Sequence, residues 1–262
     1  MAIRESGGPI LRVEEVSVDF DGLRALNQCS FEVSGGEIYS VIGPNGAGKS
    51  TLFNVISGIH RPTEGRVFFR GRRVDGLRPS RISRMGMARS FQNLELFSGM
   101  TALDNVLAGS HRHLGYGFFR SFVLDPGTRR QEGRAREESR RLLAFLGIET
   151  YAGTQVDDLP YGVQKKVEIA RALATGPMLL LLDEPAAGLN DRETAELMET
   201  IRRIRDDRGI TILLVEHNMR FVMGLSDRVC VLNFGRILAE GRPEEVRADP
   251  AVVEAYLGEA AC

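Results

Sequence analysis

The sequence predicts an α/β protein with a parallel-sheet core, an antiparallel β subdomain at its N-terminal side and an inserted helical lobe. Three observations point there. Between Val13 and Val33 apolar residues alternate with polar ones, as on antiparallel strands with one wet face. By contrast, "EIYSVIG", "MLLLLDEP" and "GITILLVEH" are apolar almost throughout, as parallel strands buried on both faces are. Residues 93–158 contain no strand-like run and carry a charged amphipathic segment, so they read as helical.

Taken in order, Val16, Val18 and Phe20 lie on one strand and Cys29, Phe31 and Val33 on the next, with "DFDGLRAL" turning between them. "EIYSVIG" then feeds a glycine-rich loop. A helix follows through Leu52, Phe53, Val55 and Ile56, and Gly58 ends it. "GRVFFRG" is a further short strand. In "RAREESRRLLAFLGI", Ala135, Leu142, Leu143 and Leu146 form one helical stripe opposite the charges. "MLLLLDEP" and "GITILLVEH" each follow a helix, which implies parallel strands joined by right-handed crossovers. "RVCVLNFGRILAEG" predicts a hairpin turning at Asn233–Gly235, and "PEEVRADPAVVEAYLGEA" a helical tail. The whole chain, 1–262, reads as a single domain. Residues 1–92 and 159–262 form the α/β core and 93–158 the inserted lobe.

Composition narrows the classes. With 262 residues, 43% of them hydrophobic, the chain can bury a substantial core. A formal net charge of −1 implies no nucleic-acid partner. Arginines gather at Arg70, Arg72, Arg73, Arg78, Arg81, Arg84 and Arg89, which reads as a solvated face. Cys29, Cys230 and Cys262 have neither metal-ligand spacing nor a disulfide framework and suit a reducing compartment. The N-terminal stretch has no apolar signal core, and the longest apolar runs fall far short of the ~20 residues of a bilayer span. A soluble, cytoplasmic protein is expected, one that serves a membrane only through partners.

The motif with the clearest chemistry is "GPNGAGKST", made of Gly43, Pro44, Asn45, Gly46, Ala47, Gly48, Lys49, Ser50 and Thr51. It fits the P-loop pattern and stands where such a loop belongs, after a buried strand and before a helix. Glycines let backbone N–H groups turn toward phosphates, Lys49 supplies charge to the β- and γ-phosphates, and the Ser50 hydroxyl ligates Mg²⁺. The end of "LLLLDEP" delivers Asp183 to the same metal, with Glu184 beside it to polarise the attacking water. A plain charged turn would explain exposed carboxylates, but not their coincidence with a P-loop. Gln92 and His217 complete the site. His217 ends a strand at the carboxyl edge of the sheet, where open α/β sheets bind ligands, although a lone histidine is often structural.

"LPYGVQKK" raises a separate question. The helix it opens places Val163, Val167, Ala170 and Leu173 or Ala174 on one face, with Lys165, Lys166 and Arg171 elsewhere. Pro160 suits a first helical turn, and Gly162 removes a side chain that would block an anion from the N–H groups there. The segment reads as a second phosphate-binding helix end, and one nucleotide needs only one.

Five motifs in this order, covering nearly the whole sequence, resemble the nucleotide-binding subunit of an ABC transporter. The closer resemblance is to the larger ATPase subunit of branched-chain amino acid importers. It is carried by "FQNLELFSGMTALDNVLAG", "DEPAAGLND", "VEHNM", "GLSDRV" and "AYLGE". The resemblance implies the ABC ATPase fold and ATP and Mg²⁺ as cofactors. It makes Phe20 the ring that stacks on adenine, or else a core aromatic, and Gln92 the lobe-linking glutamine and a metal ligand beside Ser50 and Asp183. "GLND" (188–191) becomes the loop that crosses to an opposite subunit.

Leu159, Pro160, Tyr161, Gly162, Val163 and Gln164 take the place of the family signature, which grips the γ-phosphate of an ATP held by that subunit. Proline stands where the family often has serine, and Val163 where glutamine is common, so backbone donors and the helix dipole must serve. The implied partners are a second, smaller ATPase subunit, two transmembrane permease subunits and, indirectly, a solute-binding protein. They place the chain peripherally on the cytoplasmic face of the membrane. Leu94, Leu96, Phe97 and Met100 could form lobe core or a groove for a permease helix. Urea or amide importers and lipid or lipopolysaccharide exporters share many of these features. A non-transport ABC ATPase would carry a long coiled coil or tandem ATPase domains, and neither is present.

Overall fold

The structure, a computed structural model, describes residues 8–90, 95–110 and 126–257. It divides into two compact units: residues 1–89 with 178–262, and residues 90–177. The first unit begins with β1 (Leu11–Phe20) and β2 (Leu23–Val33), followed by β3 (Ile38–Ile42), α1 (Lys49–Ile56), β4 (Glu64–Phe69), β5 (Arg72–Arg73), α2 (Pro79–Arg84) and β6 (Met87–Arg89). The second unit contains α3 (Ala102–Ser110), α4 (Pro126–Phe145) and α5 (Tyr161–Ala174). The chain then completes the first unit with β7 (Leu179–Asp183), α6 (Asp191–Arg208), β8 (Thr211–Val215), α7 (Met219–Leu225), β9 (Arg228–Asn233), β10 (Arg236–Gly241), α8 (Pro243–Ala248) and α9 (Pro250–Leu257).

The strands form two sheets. A four-stranded antiparallel sheet has the order β2-β1-β4-β5, and a six-stranded sheet the order β10-β9-β3-β8-β7-β6. In the larger sheet every pairing is parallel except β9 with β10. Its strands β3, β7 and β8 are buried at every position, whereas edge strand β10 alternates between exposed and half-buried residues. This matches the nearly unbroken apolar runs at 38–42, 179–183 and 211–215, because strands covered on both faces have no wet side to alternate toward.

One hydrophobic cluster joins the inner faces of both sheets to α1, bringing together Val13, Phe31, Val41, Phe53, Leu181 and Leu213. Phe53 is fully buried there. A buried side chain of this size contributes about 1.5–3 kcal/mol relative to an exposed one. Cys29 and Cys230 sit inside the same cluster, and burial pushes both thiols up from their ordinary range. Among the described residues no three His, Cys, Asp or Glu side chains gather as they would around a metal ion.

Two expectations shift. The core was expected to resume at 159, but the helical unit runs from 90 to 177 and takes α5 with it. The reason is packing: α5 lies against α3 and α4, and its Val167, Ala170, Leu173 and Ala174 are buried. The C-terminal tail is two helices. Asp249, extended at ψ 120°, breaks it just before Pro250, as the residue ahead of a proline is forced out of the helical region.

Candidate active site

β3 ends at Ile42 and the loop 43–48 leads straight into α1. The loop is walled in by its neighbours. A Cβ on Gly43 would lie 2.0 Å from the Leu232 carbonyl oxygen of β9, and one on Gly48 would lie 2.6 Å from that of Ala25 in β2. Both glycines also have positive φ, 153° and 102°, so nothing larger fits either the space or the backbone. Lys49 is buried, its Nζ donating to the carbonyls of Gly43 (2.5 Å) and Pro44 (2.8 Å). Ser50 is exposed and Thr51 half-buried, while Asn45 and Gly46 form the exposed crest of the loop. No side chain caps α1, whose N-cap is Gly48.

Sheet order brings the other residues beside this loop. β8 lies between β3 and β7, and the three are parallel, so their carboxyl ends share one edge. That edge carries Gly43, Glu216–His217 and Asp183–Glu184. Asp183 is buried and its Oδ2 accepts 2.8 Å from Arg89 Nη2; Arg89 Nη1 also donates to Asn54 Oδ1 and Ser57 Oγ of the α1 region, each at 2.8 Å. Glu184 holds φ at 45°, in the left-handed region that non-glycine residues rarely occupy. Its N–H donates to Val215 O at 2.9 Å. His217 is exposed, with Nδ1 3.8 Å from Glu184 Oε1 and 3.9 Å from Glu216 Oε2. Those gaps exceed a direct hydrogen bond. A carboxylate and an imidazole thus face each other across the edge next to the phosphate loop, an arrangement suited to holding a water and moving its proton.

Arg89 corrects the sequence reading. It was grouped with solvated arginines, yet its side chain is only 12% exposed and is paired with Asp183. Arg70, Arg72, Arg78, Arg81 and Arg84 are exposed as expected. Arg89 ends β6, beside β7, and that adjacency is what could have signalled its role. Glu216 was missed too; an acid inside a buried strand end, one residue before His217, was the available sign.

Phe20, at the end of β1, is 41% exposed and meets the His60 ring edge-on at 5.4 Å. It is a surface aromatic, so the core alternative falls away. Gln92 and Leu94 lie outside the described residues. Leu96 and Met100 are half-buried, and Phe97 is exposed with the Arg171 guanidinium 5.2 Å from its ring centre.

In the helical unit, Pro160 is the N-cap of α5 rather than part of its first turn, and no side chain caps this helix either. Its carbonyl accepts from Val163 N and Gln164 N, and Gln164 Nε2 donates to the Leu159 carbonyl at 2.9 Å. Tyr161 is exposed; Gly162 and Val163 are half-buried. Lys165, placed off the apolar face by the sequence, is nevertheless buried, with its ammonium 5.7 Å from the Tyr161 ring centre. In the "GLND" loop, Asn190 caps α6 and exchanges hydrogen bonds of 3.0 Å with Glu193 in a capping box.

A walled phosphate loop on a parallel sheet, with a carboxylate pair and a histidine at the neighbouring strand ends, defines an ATP-binding cassette. The family described as ABC transporter matches residues 26–187, and the chain belongs to it; it is an ABC ATPase. A second family, described as branched-chain amino acid ATP-binding cassette transporter, matches residues 236–262. The chain is 46% identical over 252 residues to the high-affinity branched-chain amino acid transport ATP-binding protein LivG of Salmonella typhimurium, covering 96% of this chain and 99% of that one. It is 43% identical to BraF of Pseudomonas aeruginosa, described in the same words, with the same coverage. Among solved structures it resembles the ADP conformation of an ATP-binding cassette of an ABC transporter, with a TM-score of 0.82, 33% identity and coverage of 95% and 99%.

Proposed function

We propose that this chain is the ATP-hydrolysing subunit that energises import of branched-chain amino acids or similar small polar solutes. The relatives named for that transport support the solute class. The mechanism is supported above all by one observation: the phosphate loop, Asp183–Glu184 and His217 sit at the ends of adjacent parallel strands.

Within that site, residues 43–51 wrap the phosphates and the Lys49 ammonium neutralises the β- and γ-phosphates. The Ser50 hydroxyl and the Asp183 carboxylate are hard oxygen donors that fit Mg²⁺, with Gln92 as a further ligand. The ion would supply charge compensation for the phosphates. Glu184 accepts the proton of the attacking water, and His217 holds the reacting groups in place across the strand edge. Phe20 offers its exposed face to adenine. The uncapped start of α5, Leu159–Gln164, serves the γ-phosphate of a second ATPase subunit, a smaller paralogue. Two ATP sandwiched between the subunits close the pair and hydrolysis reopens it.

The chain's attachment to the membrane runs through two transmembrane permease subunits, fed by a solute-binding protein, at the cytoplasmic face. Among the described residues no helix is long and apolar enough to cross a membrane. The test is co-expression with the neighbouring permease genes, followed by reconstitution. ATPase activity stimulated by binding protein loaded with leucine, isoleucine or valine supports the proposal. Stimulation by urea or short amides alone, or by lipid without any binding protein, overturns the solute class.

A further inference from the structure

The Glu216 carboxylate is fully buried, and it touches both loops that carry the reacting side chains. Its Oε1 accepts from Ala186 N at 2.8 Å, in the loop after β7, two residues beyond Glu184. Its Oε2 accepts from His217 N at 3.0 Å and Asn218 N at 3.3 Å, in the loop after β8. The Glu184 turn is held in a left-handed conformation (φ 45°) that a glutamate does not adopt unaided. Such a residue persists only where its surroundings over-determine it. Besides Glu184 N to Val215 O and Ala187 N to Glu184 O, the bond from Ala186 N to Glu216 pins this turn.

We propose that Glu216 is a positioning residue for hydrolysis: one buried carboxylate ties the Glu184 turn to the His217 turn and sets the gap between them. The inference rests on the roles of Glu184 and His217 proposed above. An anion with two acceptor oxygens suits this place, because both loops present only N–H donors to it. An amide of the same size has one acceptor oxygen, and its NH₂ must face donors on one side or the other. On the proposed reading nucleotide affinity rests with residues 43–51, and the hydrogen bonds of the Glu216 carboxylate go to Ala186, His217 and Asn218 instead. Loss of the brace therefore moves turnover and leaves binding alone.

Glu216→Gln keeps the volume of the side chain and is the primary test, made on the full chain assembled with its partners. Amide exchange in the nucleotide-free protein is expected to quicken at Ala186, His217 and Asn218, with the amides of residues 43–51 unchanged. ATP affinity stays within about twofold while kcat falls about ten- to a hundredfold, the range that displacement of a reacting group by about 1 Å produces. Combined with His217→Ala, the losses are less than multiplicative, since both act on one geometry. Glu216→Asp, which retains the charge on a shorter stem, cannot reach both loops. It shows the same split of kcat from affinity and serves where the glutamine variant is poorly folded. Unchanged exchange with unchanged kcat overturns the brace, and so does a fall in ATP affinity at constant kcat. A parallel Glu184→Gln control separates the two levels. Full turnover in that control overturns the role of Glu184 itself, whereas a slow control beside a fully active Glu216→Gln overturns only the brace.

Discussion

The starts of α1 and α5 invite comparison, because each begins without a side-chain cap or an acid in its first turn. Two other helices are closed: Asn190 caps α6 and Asn218 caps α7. An uncapped start leaves N–H donors and the positive helix end available to an anion. The two open starts are otherwise built differently. α1 is entered through glycines jammed against Leu232 and Ala25, with a buried lysine bonded to the loop. α5 is entered through Pro160 in extended conformation, with an exposed tyrosine, half-buried Gly162 and a lysine turned into the interior. The first is a preformed cradle with its own counter-charge. The second offers backbone donors and the helix dipole, which suits its proposed role of completing a nucleotide site on a second subunit.

Breaking the chemistry while sparing both helix ends has the largest expected effect. Glu184→Gln lowers turnover of the assembled transporter about 10²- to 10⁴-fold, with ATP binding retained; a steady-state ATPase assay beside a nucleotide titration checks it. Lys49→Ala attacks the self-sufficient end. Losing a charge-assisted contact weakens ATP binding by the isolated subunit about ten- to a hundredfold, read by the same titration, and unchanged affinity would overturn the cradle.

Gly162→Asp attacks the other end. A carboxylate at the uncapped α5 start repels phosphate, so ATPase activity and transport by the assembled pair fall about tenfold. Binding to the isolated subunit stays within about twofold, since the α1 cradle is untouched. In a mixed pair the damage appears at the partner's nucleotide; loss of the mutant chain's own affinity would place α5 in the local pocket instead. The smallest effect is at a closed start: Asn190→Ala removes the α6 capping box at about 1 kcal/mol, a fall of about 2–4 °C in Tm by calorimetry, without a change in ATP affinity.

Much of this was legible along the chain because it depends on local spacing. Gly43–Thr51 declares itself by glycines at the turns and a lysine at the helix start, and the three apolar strands by their unbroken runs. Residues whose meaning is set by neighbours distant in sequence were harder. Arg89 looks like one more surface arginine until β6 is placed beside β7. Lys165 lies off the apolar face of its helix in the sequence, yet in the structure it is buried, with Tyr161 beside its ammonium. Pro250 was in plain view, and the helix break at Asp249 follows from it directly.

By itself, the sequence determined the α/β class, the glycine-rich loop between β3 and α1, the carboxylate pair after "LLLL" and the family to which these belong. Each is a short-range pattern whose chemistry is carried by adjacent residues. Tertiary structure alone decided which strand ends meet. Only the order β3-β8-β7-β6 brings His217 to 3.8 Å from Glu184 Oε1, sets Arg89 on Asp183 and lets Glu216 span two loops. Pairing across a sheet depends on burial and register summed over the whole core, so no local stretch of the chain encodes it.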